Sequence, residues 1–342
     1  MRNLELSLGK VCDNRCVFCA TGMASRQDPG WMPIEEAKAA LASARAEGLV
    51  SVGFLGGEPT RYPALPELVR AASELGFERI SLCTNGRSLS EPARLEGLLS
   101  AGVTRVALSI HSHQAALEDE ITGRPGSFGQ KLSAIALLVA AREGGRLPHG
   151  FALNTVIHAR NVSRLGPMAA FFKRRGVTDM RLNFIRPEVP AEIGKDWVPR
   201  YSRASSCLQK LLVRNESKLG LRLTITDFPL CMLPWELHVS PKLRERYLGE
   251  SQDPDTQVTM HRPPSLGPVK EFIWADQRRS ELKHKLPVCR VCPIERFCEG
   301  LWRGYLEIHG DAEFAEGPSR VSVWVPGPRQ DRSRSGGPRR RR

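Results

Sequence analysis

The chain has 342 residues, is 41% hydrophobic and 25% charged, and carries 50 basic against 37 acidic side chains, a net charge of +13. That length supports a large core and one sizeable α/β domain with an appendage, and the composition is that of an ordinary globular enzyme. No apolar run approaches the roughly 18 residues of a membrane span and no charged, then apolar, leader precedes the first strand, so the sequence predicts a cytoplasmic protein without a membrane partner.

The charge is uneven. Residues 329–342 hold seven arginines and one aspartate in a Ser-, Gly- and Pro-rich stretch without apolar residues. The basic tail, 321–342, is expected to be disordered, either a bare solvated segment or a handle for nucleic acid. Nine cysteines in such a chain argue for metal ligation in a reducing compartment over a disulfide framework.

Residues 4–8 read as a first strand and lead into Cys12-x3-Cys16-x2-Cys19. A chain reaches at most about 3.6 Å per residue, so these three thiols can only serve one compact object. Three thiolates round one centre suit a [4Fe-4S] cube whose fourth iron lacks a protein ligand and is open to chemistry. Zinc knuckles usually pair cysteines as Cys-x2-Cys and need a fourth ligand, and three buried free thiols are the remaining alternative.

Pro33 opens a helix with Ala37, Ala40, Leu41 and Ala44 on its core face, ending near Gly48. A second strand, 51–55, runs into Gly56-Gly57-Glu58-Pro59, where two glycines would let a ligand approach the backbone. A helix at 65–75 and a strand at 79–83 follow, the latter ending in Thr84-Asn85. Further strands are predicted at 105–110 with Ser109, at 151–157 with Asn154, at 181–185 with Asn183, and at 221–226. Helices are predicted at 128–142, with Ser127 as N-cap, at 163–175 and at 200–219.

Strands alternating with amphipathic helices imply a parallel sheet, and the fold expected over 1–228 is an open, partial β/α barrel of six or seven strands. Polar residues recur at the strands' carboxyl ends, the rim where α/β folds bind ligands. His111 and His113 lie on that rim as candidate ligands or bases, or as residues that hydrogen-bond a loop. Cys83, in a strand, and Cys207, in a helix, read as core residues.

Beyond 228 the pattern changes to a Cys-rich region, 229–320. Cys231 is followed by a Pro-rich stretch, 251–269, read as loop, and then by Cys289-x2-Cys292-x5-Cys298. Brought together, these four could ligate every iron of a second [4Fe-4S] cluster, or a structural zinc ion.

The triplet with Phe18 before its last cysteine, followed by Gly56-Gly57-Glu58-Pro59 after the next strand, resembles the radical S-adenosylmethionine (SAM) superfamily. The resemblance implies that Cys12, Cys16 and Cys19 hold the catalytic cluster and that the open iron chelates SAM, with reductive cleavage yielding a 5'-deoxyadenosyl radical. It also implies that Phe18, Gly56, Gly57 and Glu58 lie against SAM, and makes Thr84, Asn85, Ser109 and Asn154 candidates for its other contacts. Strand 151–157 lacks the Gly-x-Ile-x-Gly pattern of some members. The group Cys231, Cys289, Cys292 and Cys298 is similar to the auxiliary-cluster modules called SPASM or twitch, which implies one auxiliary cluster, an electron donor such as flavodoxin or ferredoxin, and a ribosomally made peptide as substrate. Action on RNA or a nucleotide-derived cofactor is the competing reading, supported by the arginine tail; a non-catalytic iron-sulfur or zinc protein is the reading from another class.

Overall fold

The structure, a computed structural model, describes residues 3–19, 30–187, 196–233, 237, 240–248, 256–260, 270–292 and 294–314. The expected loop parts 251–255 and 261–269 and the basic tail 321–342 lie outside the described residues.

Seven strands follow one another in parallel: β1 (Asn3–Ser7), β2 (Ser51–Leu55), β3 (Arg79–Thr84), β4 (Arg105–Ser109), β5 (Phe151–Ile157), β6 (Asp179–Phe184) and β7 (Arg222–Thr226). Each crossover is helical, with α1 (Ile34–Ala46), α2 (Leu65–Glu74), α3 (Pro92–Ala101), α4 (Ala115–Thr122), α5 (Ser127–Glu143) and α6 (Leu165–Lys173), then the helix Tyr201–Arg214. The sheet stays open, its order running β7-β6-β5-β4-β3-β2-β1 and then two further strands, Thr256–Met260 and Lys270–Ile273. Among the described residues no helix is long and apolar enough to cross a membrane.

Side-chain alternation assigns the two faces of the sheet. Leu4, Leu6, Val52, Phe54, Leu82, Val106, Leu108 and Leu153 are fully buried and belong to one core with α1, α2 and α5. The intervening positions, Glu5, Ser81, Cys83, Ser109, Asn154, Arg181, Asn183 and Thr226, are half-buried and mostly polar. They line the concave side. There Thr226 donates to Asn183, and Asn183 donates to Asn154, so a side-chain ladder crosses three strands.

Four local expectations change. Residues 256–260, read as loop, form β8 (Thr256–Met260), parallel to β1 with Asn3 opposite Thr256, and β9 (Lys270–Ile273) adds an antiparallel edge. The β-branched residues Thr256, Val258 and Thr259 suit a strand, and prolines occur only outside them. Ser127 is not the N-cap of α5. That place belongs to Gly126 at φ 78°, and the Asp119 carboxylate accepts from Gly126 N and Phe128 N at 2.7 and 2.9 Å instead. Finally, α3 and α4 are helices additional to those predicted; α4 is acid-rich, with a weak apolar stripe.

Candidate active site at the carboxyl rim

The loop after β1 that carries Cys12, Cys16 and Cys19 is hung from three neighbours. From β2 it is held by Glu58 N donating to Val11 O at 2.8 Å. On the β3 side Asn85 Nδ2 donates to Asp13 Oδ1 at 2.7 Å, and Arg87 pairs with Asp13 Oδ2 at 3.1 Å. From the end of α4, Thr122 O and Ile121 O accept from Arg15 N and Val17 N, and Arg124 donates to Asp13 O. Conserving this suspension requires glycine beneath it: a Cβ on Gly57, at φ 54°, would lie 2.2 Å from Val11 O, and one on Gly56 would lie 2.4 Å from Ser7 Oγ. The glycines expected to admit a ligand thus first admit the protein's own cysteine loop.

The three thiols share one neighbourhood. Burial pushes Cys12 up to about 11 and Cys16 up to about 12, with the charges of the other two cysteines raising Cys16 further. Thiols in such a place are protonated alone and become ligands when a cation displaces the proton. Asn14 N already donates to Cys12 Sγ at 3.4 Å. Cys231 has the same character, pushed to about 12 by burial first and then by the charges of Cys298, Cys292 and Cys289. Gly300 N donates to Cys298 Sγ at 3.5 Å. Among the described residues no group of three or more His, Cys, Asp or Glu is gathered as ligands of one metal ion. A cube spreads its ligands round four irons, whereas zinc draws its thiolates to about 2.3 Å from one centre. Both donor sets are all-thiol and fit a cluster.

Glu58 is 1% exposed, and its carboxylate is the hub of the rim. Oε1 accepts from Thr60 N, Thr60 Oγ1 and Thr84 Oγ1 at 3.1, 2.7 and 2.6 Å; among the described residues Oε2 accepts only from Asn85 N, at 2.6 Å. An oxygen has two lone-pair directions, so Oε2 keeps one for a further donor such as an ammonium. Burial raises the Glu58 pKa, and the bonds from Thr84, Asn85 and Thr60 pull it back. Thr84 and Asn85, expected as cofactor contacts, direct their side chains to Glu58, to Asp13 and to Arg87 N. Ser109 and Asn154 are register partners on β4 and β5 and face the concave side together.

Phe18 packs with its ring centroid 4.9 Å from His111 and 5.6 Å from His158. His111 Nδ1 accepts from Val156 N at 3.2 Å, so this histidine fastens the segment after β4 to β5, and burial drives its pKa well below the ordinary value. His113 lies against Phe171 of α6 instead. Cys83, on the concave face, is pushed to about 12 by burial, and Cys207 packs against the core.

Sequence reasoning missed several rim residues. Glu118 and Lys131 form a fully buried pair at 2.6 Å, and the other Glu118 oxygen accepts from His111 N and Ser112 N. Asn161 bridges His111 O, Val156 O and His158 N. At the ends of β6 and β7, Arg186 donates to Asp227 at 3.0 Å and lies over Trp274, and Asp227 holds φ 60°, the one positive-φ residue other than glycine among those described. Arg186 is legible in the sequence as the polar residue into which strand 181–185 leads, and a polar residue just past a strand end is the available signal for Asp227; the others have none.

An open, mostly parallel sheet with a three-cysteine loop over its carboxyl rim is the architecture of a radical SAM domain, and residues 6–149 match the family described as the Radical SAM superfamily. Among curated relatives, the AdoMet-dependent heme synthase of Methanosarcina barkeri is 28% identical over 64% of this chain and 60% of its own. A PqqA peptide cyclase of Ruegeria pomeroyi is 33% identical over 45% of this chain and 39% of its own. The match therefore spans less than two thirds of either relative. Among solved structures, Streptococcus suis SuiB bound to S-adenosylmethionine superposes with a TM-score of 0.62 at 18% identity, over 89% of this chain and 73% of that one. Native anSMEcpe with bound AdoMet gives 0.63 at 17%, over 88% and 89%. These likenesses show the fold.

Proposed function

We propose that the chain is a radical SAM enzyme acting on a ribosomally made peptide. The observation that carries the reading is the suspension of the Cys12, Cys16 and Cys19 loop directly above the Gly56, Gly57 and Glu58 turn, through Glu58 N and Val11 O. On this reading the three cysteines hold a [4Fe-4S] cluster, and Oε2 of Glu58 takes the ammonium of SAM. Thr84 and Asn85 fix that carboxylate, and Phe18, Ser109 and Asn154 border the rest of the cofactor. Together the cluster and SAM supply reductive cleavage of the sulfonium and abstraction of a hydrogen atom from the substrate. The protein contributes orientation, a buried carboxylate and exclusion of water.

The open sheet leaves a wide mouth for a large substrate. SuiB, whose structure with its precursor peptide SuiA shares this fold, and the PqqA peptide cyclases support a peptide. Cys231, Cys289, Cys292 and Cys298 are proposed to hold one auxiliary [4Fe-4S] cluster; their four sulfur donors and mutual electrostatic influence support a shared centre. An external flavodoxin or ferredoxin would supply electrons.

The test is to reconstitute the protein anaerobically with iron and sulfide, add SAM and dithionite, and measure 5'-deoxyadenosine. Product well above a Cys16→Ala control is expected; equal amounts would sink the radical reading. Coexpression with a short peptide encoded beside the gene should change that peptide's mass, and turnover of a nucleotide in its place would move the substrate to the competing class.

A further inference from the structure

Tyr201 is 0% exposed, yet its phenol oxygen has no hydrogen-bond partner among the described residues. A buried hydroxyl without a partner is rare in a folded chain and asks for a missing acceptor or donor. Its own backbone does not explain it, because Tyr201 N is already satisfied by Tyr305 Oη at 3.0 Å. Nor can the ring swing away. It is stacked on Tyr305 at 4.1 Å, tilted on Phe184 at 4.4 Å, and edge-on to Phe228 at 5.3 Å and Phe314 at 6.0 Å.

Those neighbours place the ring. Phe228 stands two residues before the turn Leu230–Met232 that contains Cys231, and one helical turn along from Tyr201 the Ser205 hydroxyl donates to Met232 O. Tyr305 stands on the helix Arg303–His309, a few residues after Cys298, and Trp302 Nε1 fastens that segment to Asp227 O at 3.2 Å. Tyr201 is thus wedged between the segment carrying Cys231 and the one carrying Cys298. A phenol O–H facing thiolate or sulfide sulfur, which has no proton to give, can act only as the donor.

We propose that the Tyr201 phenol donates a hydrogen bond to a sulfur of the cluster held by Cys231, Cys289, Cys292 and Cys298, and thereby raises that cluster's reduction potential. The inference rests on the auxiliary-cluster reading given above. A donor on a cluster sulfur stabilises the added negative charge of the reduced state, so losing the donor lowers the potential. Tyr201 is a positioning and tuning residue; it is not a catalytic one.

The experiment uses the full chain with Cys12, Cys16 and Cys19 changed to Ala, reconstituted with iron and sulfide, so that only the C-terminal cluster titrates. About four irons per chain are expected, and adding Tyr201→Phe should leave the iron content unchanged while shifting the midpoint potential, followed by EPR, to a more negative value. Melting temperatures give a second readout: Tyr201→Phe should raise that of the iron-free chain, by removing an unpartnered hydroxyl, and give no such gain in the iron-loaded chain. Iron present with an unmoved midpoint, or an equal gain in both forms, overturns the role of Tyr201 alone. Absence of iron overturns the auxiliary-cluster reading and the proposal with it. Should the triple variant fail to fold, the same substitution in the otherwise unaltered chain should move one of two resolved midpoints; neither moving overturns the proposal.

Discussion

Glu58, after β2, and Thr84, at the end of β3, are joined by a 2.6 Å hydrogen bond from the threonine hydroxyl to the buried carboxylate. The bond couples two strand ends and occupies Oε1, leaving Oε2 to Asn85 N. Thr84→Val keeps the volume and removes the donor. Hydrogen bonds to charged groups contribute about 1.5–3 kcal/mol, so urea unfolding should show a loss of that order. Calorimetry should show weaker SAM binding by the reconstituted protein, while Glu58→Gln should weaken SAM binding further.

Gly57 is expected to tolerate no side chain. A Cβ there would sit 2.2 Å from Val11 O, and the backbone is at φ 54°. Gly57→Ala must push the cysteine loop outward, so iron bound per chain after reconstitution should fall, with the melting temperature lowered as well. An alanine variant with full iron content would show that the loop is not seated on this turn.

The Glu118–Lys131 pair is 0% and 1% exposed and holds the backbone of His111 and Ser112 beside Phe18. Removing one partner of a buried pair leaves the other charge uncompensated, at a cost of about 3–5 kcal/mol. Lys131→Met should therefore destabilise strongly in denaturant, and Glu118→Gln added to it should recover part of the loss because no buried carboxylate remains.

His158 is held near pKa 3 from an ordinary 6.5, by burial first and by His111 second, with Glu118 opposing. Its folded pKa is depressed, so the unfolded chain takes up this proton first as pH falls. Stability from His158 is complete above about 6.5 and is lost progressively towards 3. His158→Phe should flatten that part of the stability–pH curve; an unchanged slope would assign it to other groups.

What the sequence disclosed and what it withheld follow from the range of the interactions. Cys12, Cys16 and Cys19 could be read because spacing along the chain already confines them, and the glycine turn because only glycine adopts its backbone. The strands were legible through their alternation. Ser127 was misassigned because its cap, Asp119, reaches in from the preceding helix. Glu118 and Lys131 meet only when α4 and α5 pack, and the pairing of β8 with β1 joins opposite ends of the chain, so neither leaves a local pattern. Thr84 and Asn85 were recognised as rim residues, but their engagement with Glu58 and Asp13 depends on strand register.

That β1 is flanked by β2 on one side and by β8 on the other has a consequence for biosynthesis. While the ribosome is still making the middle of the chain, the first strand presents a bare row of amide and carbonyl groups that only Thr256–Met260 can cover. An uncovered edge of this kind recruits strands from other molecules. A fragment cut at residue 228 should accordingly clump, and solubility of the barrel should depend on a strand that lies between Cys231 and Cys289 in the chain.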